Sequence, residues 1–132
     1  MIQANESENQ PPLALLAEDD DMIRELVSLY LERLGYEVVS CKNGQEAVDA
    51  LELYPKFDLV VTDLVMPELG GAEVVKTTQS LDKCKRILII SGFSDDLKFL
   101  EQAIESGNEF LKKPFTFSGF TEKIENLKKR YT

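Results

Sequence analysis

Along this chain, short unbroken apolar runs alternate with stretches whose apolar residues recur every three or four positions. That alternation predicts a βα repeat and a parallel sheet. Five strands are expected, at residues 13–17, 37–41, 59–62, 87–90 and 109–112. Ile87-Leu88-Ile89-Ile90 carries no polar interruption, which suits a strand covered on both faces. The first helix is the clearest: Ile23, Leu26, Val27, Tyr30, Leu31 and Leu34 share one face, Asp20 or Asp21 can start it, and Gly35 stops it. Asn43 and Glu46 have capping-box spacing ahead of Ala47, Val48, Leu51 and Tyr54, and Pro55 ends that helix. A Pro- and Gly-bearing loop from Asp63 to Gly71 leads into a third helix through Val74, Val75 and Thr78. Ser94 is placed to cap a fourth helix using Leu97, Leu100, Ala103 and Ile104, which leaves Phe99 off the apolar stripe. Thr116 caps a fifth, presenting Phe117, Phe120, Ile124 and Leu127, and Lys128, Lys129 and Arg130 suit its C-terminal dipole.

Composition narrows the class. The 132 residues suit one domain, and a hydrophobic content of 43% argues against wholesale disorder. Residues 1–12 are polar and close with Pro11-Pro12, so they read as a flexible tail ahead of a folded unit at 13–132. No apolar run approaches a membrane span and no signal-peptide pattern opens the chain, so the expected location is the cytoplasm, away from membranes. The net charge of −9 disfavours direct nucleic-acid binding, because a phosphate backbone rewards a basic face. Two cysteines make no disulfide framework, and Cys41, at a strand end, is expected to be buried as a small apolar residue. The chain has no histidine, which excludes His–Asp and Cys–His hydrolases, His-ligated zinc and a phosphohistidine on this protein. Its phosphate chemistry, if any, runs on carboxylates, hydroxyls and lysines.

Three of the strand runs end in such groups. The first stops at Glu18-Asp19, the third at Asp63, and the fifth at Lys113-Pro114. In a parallel sheet these endings share the carboxyl edge, where open α/β folds place their sites. Three carboxylates would face one ammonium there, and such a cluster repels itself unless it binds a cation. Oxygen-only ligands favour Mg²⁺ over Zn²⁺. The pattern points to a site that holds Mg²⁺ and handles phosphate.

The segment Asp63-Leu64-Val65-Met66-Pro67-Glu68-Leu69-Gly70-Gly71 resembles the phosphoacceptor loop of two-component receiver (response regulator) domains. Further features follow in the family's order: Glu18-Asp19 with Arg24 soon after, Ser91 after the fourth strand, Phe110, and Lys113-Pro114-Phe115 after the fifth. The resemblance covers about residues 13 to 130. It implies a flavodoxin-like (βα)5 fold, doubly wound, with a five-stranded parallel sheet in the order 2-1-3-4-5.

It also implies roles. Asp63 would accept the phosphoryl group as an aspartyl phosphate. Glu18, Asp19 and Asp63, with the backbone carbonyl of Val65, would hold Mg²⁺. Lys113 would pair with Asp63 and then with the phosphoryl oxygens, and Ser91 would donate its hydroxyl to them. Ser91 and Phe110 would form the switch that reshapes the surface of the fourth helix, fifth strand and fifth helix. The implied donor is a histidine kinase or a histidine phosphotransfer protein, and the output is an unidentified downstream protein, met as a monomer or as a phosphorylation-dependent homodimer. Val65 is apolar and cannot orient an attacking water, so dephosphorylation is expected to be slow.

The sequence departs from the family at two places: Gly107 stands one residue nearer Lys113 than usual, and Gly92 follows Ser91 where Ala is common. Asp20 and Asp21 extend the acidic run, so the spacing to Arg24 assigns Glu18-Asp19 as the ligand pair. Taken singly, each residue has a plainer reading. Asp63 alone reads as a loop residue, the acidic run as a solvated helix start, Ser91 as a hydroxyl satisfying its own backbone, and Phe117 and Phe120 as core. Two rival functions use the same residues: a Mg²⁺-dependent hydrolase of small phosphate esters, and a receiver that has lost phosphorylation and only binds partners. The runs at 91–96 and 110–116 also resemble receivers fused to hybrid sensor kinases, so both a stand-alone protein and a piece of a longer one fit.

Overall fold

The computed structural model describes residues 10–92 and 97–132. The expected cap at Ser94 and residues 1–9 of the expected tail lie outside the described residues. Among the described residues, five strands, β1 (Leu13–Ala17), β2 (Glu37–Cys41), β3 (Leu59–Asp63), β4 (Ile87–Ser91) and β5 (Glu109–Lys112), alternate with five helices. The helices are α1 (Asp21–Arg33), α2 (Gly44–Leu53), α3 (Gly71–Ser80), α4 (Leu97–Glu105) and α5 (Phe117–Arg130). All strand pairs are parallel and the sheet order is β2-β1-β3-β4-β5, the flavodoxin-like order.

Alternation along the strands divides the core into two layers. Leu15, Ala17, Val60, Ile87 and Ile89 pack against Ala47 and Leu51 of α2, Val74 and Val75 of α3, and Leu100 and Ala103 of α4. Ala14, Leu16, Leu59, Val61, Leu88 and Ile90 pack against Val27 and Leu31 of α1, and Phe120, Ile124 and Leu127 of α5. Helices therefore cover both faces, and β3 and β4 are buried at every position.

The local signals act as expected. The Asp20 carboxylate accepts from Ile23 N at 3.0 Å to start α1. The α1 terminus closes through Gly35 N to Glu32 O (3.0 Å) and Tyr36 N to Leu31 O (3.0 Å), the paired bonds of a Schellman motif. Asn43 caps α2 through Glu46 N at 2.8 Å, while the Glu46 carboxylate reaches back to Lys42 N at 2.9 Å. Thr116 caps α5 through Gly119 N at 3.0 Å. Cys41 is buried.

Several side chains depart from the expected faces. Leu26, Leu97 and Ile104 are exposed instead of buried, while Phe99 is half-buried against the core. Helix α4 is thus rolled so that Phe99, Leu100 and Ala103 face the sheet. Periodicity counts apolar positions without knowing where the sheet lies, and here the apolar arc is wider than the buried one. Phe117 is half-buried, its ring edge-on to Tyr30 (5.0 Å between centroids) with the Arg33 guanidinium 4.4 Å over it, so only Phe120 is true core. Among the described residues no helix is long and apolar enough to cross a membrane.

Candidate functional site

Strand register assembles the site. Ala17 pairs with Thr62, so Glu18, the next residue, stands beside Asp63, the last of β3. Asp63 pairs with Ile90, which brings Ser91 alongside, and Ser91 pairs with Lys112, one residue before Lys113. β3 and β4 each run one residue further than the apolar pattern predicts, so Asp63 and Ser91 sit on rigid strand ends instead of in loops. The sheet order reverses between β1 and β3, the crevice where doubly wound sheets bind ligands.

Glu18 is 2% exposed and Asp63 6% exposed, which would strand two charges without a counter-ion. Lys113 supplies one. Its Nζ lies 3.0 Å from Glu18 Oε1 and 3.2 Å from Asp63 Oδ2. One carboxylate oxygen each from Glu18, Asp19 and Asp63 lies within 4.8 Å of the other two. Burial pushes the Glu18 carboxyl up to about 7; the Asp20 N–H and Lys113 oppose this, and the Asp63 charge adds to it. Burial works to lower Lys113, but its bonds to Glu18 and the charge of Asp63 outweigh burial and raise it. One ammonium is therefore shared by two buried carboxylates with a third at hand. Oxygen donors of this kind and spacing fit Mg²⁺.

The loop after Asp63 is held on both sides. Leu64 N donates to Ile90 O at 2.9 Å, Gly71 N donates to Leu64 O at 2.8 Å, and Met66 is buried in the core. A Cβ at Gly71 would sit on the Asp63 carbonyl oxygen and 2.8 Å from Leu64 Cα, so only glycine lets α3 start this close to the strand end. Val65 is 55% exposed beside this anchored segment.

Ser91 is buried, and its carbonyl accepts from Lys113 N at 2.9 Å. Phe110 pairs with Ile89 and is half-buried against the α2–α3–α4 layer. Two residues along the same strand, Ser91 shares that face with Ile89 and hence with Phe110. All the expected site residues thus gather at one edge, with Phe110 one step back from it. The sequence reading missed three features: the Glu18–Lys113 pair, the Arg24 bond to the Glu18 carbonyl (3.0 Å), and the cis Lys113–Pro114 peptide. Only Pro114 after Lys113 signals the last of these; the first depends on which strand ends become neighbours, and the second on how the β1–α1 turn folds.

This edge, on this topology, marks a phosphate-signalling class, and comparison with known proteins agrees. The family model for the response regulator receiver domain matches residues 14–125. The chain belongs to that family, the signalling domains of two-component systems. It is 34% identical over 113 residues to the response regulator receiver protein CpdR of Brucella abortus, covering 86% of this chain and 93% of that protein. It is also 32% identical over 101 residues to a cyclic di-GMP phosphodiesterase of Thermotoga maritima, but spans only 26% of that longer protein. The structure of Vibrio cholerae chemotaxis protein CheY4 superposes with a TM-score of 0.76 at 28% identity, over 89% of this chain and 99% of that one.

Proposed function

We propose that this protein is a phosphorylation switch of a two-component phosphorelay, with Asp63 as phosphoacceptor. The observation that carries the reading is a buried Asp63 sharing one ammonium with Glu18 inside a three-carboxylate cluster. The donor is a phosphohistidine on a histidine kinase or phosphotransfer protein, which must be a partner because this chain has no histidine. An Asp63 Oδ attacks phosphorus and the phosphorus–imidazole nitrogen bond breaks; the imidazole leaves neutral, with a proton already carried on its other ring nitrogen or taken from solvent. Glu18, Asp19 and Asp63, with the Val65 carbonyl, would hold Mg²⁺, which when bound supplies positive charge against the charge building on the phosphoryl oxygens. Lys113 steadies the carboxylate before transfer and the phosphoryl oxygens after it.

The new oxygens need donors, and the Ser91 hydroxyl answers from the end of β4. Phe110, on the same face, moves into the space this opens. That motion alters the α4–β5–α5 surface, where Leu97 and Ile104 are already exposed and available to a downstream protein. Val65 carries no group to orient water, so the acyl phosphate decays slowly. A Val65→Asn variant should lose phosphate faster; equal or slower loss would sink that reading.

The deciding experiment is intact mass after incubation with Mg²⁺ and acetyl phosphate, alongside Asp63→Asn. One hydroxylamine-labile phosphoryl group, absent from the variant, is expected. Many esters turned over per protein would point to a hydrolase. No adduct from acetyl phosphate or from a phosphohistidine donor would leave a partner-binding module.

A further inference from the structure

We propose that Arg24 is a positioning residue that clamps the turn between β1 and α1, so that Glu18 and Asp19 face Asp63. This rests on the Mg²⁺-dependent reading above. Glu18 is held at every polar group it owns. Its N–H donates to Cys41 O at 3.1 Å, Oε1 meets Lys113, and Oε2 accepts from Asp20 N at 3.1 Å. Its remaining group, the carbonyl, accepts from Arg24 Nη1 at 3.0 Å. The second arm of that guanidinium, Nη2, meets Asp21 at 2.6 Å, and Arg24 N donates to Asp20 O at 2.9 Å. Arg24 thus ties the first turn of α1 back to the end of β1.

Asp19 makes the tie matter. It is exposed, and among the described residues no hydrogen bond or ion pair holds its carboxylate. Only the backbone of the turn aims it at Asp63. Two side chains bridge that backbone: the Glu18 carboxylate spans Asp19 to reach Asp20 N, and Arg24 ties the first turn of α1 to the Glu18 carbonyl. A planar fork can satisfy a carbonyl and a carboxylate lying in different directions, which a lysine ammonium cannot do with the same rigidity. Asp21, 87% exposed, draws the second arm outward. The Arg24 charge therefore stays outside the carboxylate cluster and does not stand in for a bound cation as Lys113 does.

Two effects of Arg24 on a cation oppose each other: its charge repels, and its clamp preorganises. Titration calorimetry of Mg²⁺ into the full chain separates them. Arg24→Lys keeps the charge and loses the fork, and it should weaken Mg²⁺ binding on the order of ten-fold. Arg24→Gln should also weaken it. Asp21→Asn, which leaves the Glu18 bond in place, should stay within about two-fold of wild type, as loss of an exposed ion pair does. In metal-free protein, the Asp20 and Ile23 amides of Arg24→Lys should exchange hydrogen about ten-fold faster while β3 and β4 amides hold their rates, which also shows that the variant is folded. Near-wild-type affinity in Arg24→Lys, tighter binding in Arg24→Gln, or an equal loss in Asp21→Asn would overturn the clamp. If wild type itself binds no Mg²⁺, the functional reading fails, and the exchange rates alone still decide the clamp.

Discussion

At the carboxyl edge of the sheet, Glu18 and Asp63 share the ammonium of Lys113, while Asp19, clustered with them, has no ion pair among the described residues. At the amino edge, charges and carbonyls are matched almost one to one. Arg130 Nη1 and the Tyr131 hydroxyl both donate to Gly107 O, at 2.9 and 3.1 Å, and Arg130 Nη2 meets Glu109 at 2.7 Å. The Arg86 guanidinium closes on Tyr131 O, and Asp58 accepts from Leu13 N at 2.7 Å. One edge binds the fold together; the other holds charge that the fold alone does not neutralise. The exception at the amino edge is Asn108, 3% exposed, whose Nδ2 has no partner among the described residues. It follows Gly107, at φ 96, where a Cβ would collide with the Tyr131 hydroxyl.

The sharpest way to break the contrast is to remove the shared ammonium. Lys113→Met should cost about 3 kcal/mol in Mg²⁺-free urea unfolding, because two buried carboxylates lose their partner. Saturating Mg²⁺ should recover part of that loss in the same assay. Gly71→Ala tests how closely the acceptor loop is packed. Forcing a methyl against the Asp63 carbonyl should cost about 2 kcal/mol by thermal unfolding, and phosphorylation by acetyl phosphate should slow as Asp63 shifts.

The thiols probe both edges, since Cys41 ends β2 at the carboxyl side and Cys84 precedes β4 at the amino side. Burial pushes each up to about 11 from an ordinary 9.0. The folded chain then keeps its thiol protons to higher pH than the unfolded chain does. That contribution to stability is complete below about pH 9 and is lost as pH rises through about 11. Between pH 8 and pH 10.5, Cys41→Ala should lose about 2 kcal/mol less stability than wild type, compared by urea midpoints at the two pH values. The smallest effect is expected at the orphan amide. Asn108→Ala should gain about 1 kcal/mol, since an unsatisfied buried donor is removed, and calorimetric melting would reveal a loss instead if the amide has a partner in solution.

Much of this molecule is legible before folding is considered. Strand cores such as Ile87-Leu88-Ile89-Ile90, caps at Asp20, Asn43 and Thr116, and the stop at Gly35 depend on neighbours within a few residues, so local chemistry decides them. The site residues Glu18, Asp19, Asp63, Ser91 and Lys113 are visible in the sequence because each ends or follows an apolar strand run, and parallel strands bring their ends to one edge. Helix faces were less legible. Leu26, Leu97 and Ile104 satisfy the period of a buried stripe yet stand in solvent, because period defines an arc and only the sheet selects which part of it is covered.

The sequence by itself determined the element order, the parallel sheet and the set of chemical groups at its carboxyl edge, since all three follow from short-range pattern and strand polarity. Tertiary structure alone decided how those groups share charge. Lys113 lies 95 residues from Glu18 and 50 from Asp63, yet it serves both at 3.0 and 3.2 Å. That sharing exists only because β1 and β3 are neighbours and the β5 end swings over them, a fact about the order of strands in space that no local stretch of sequence contains.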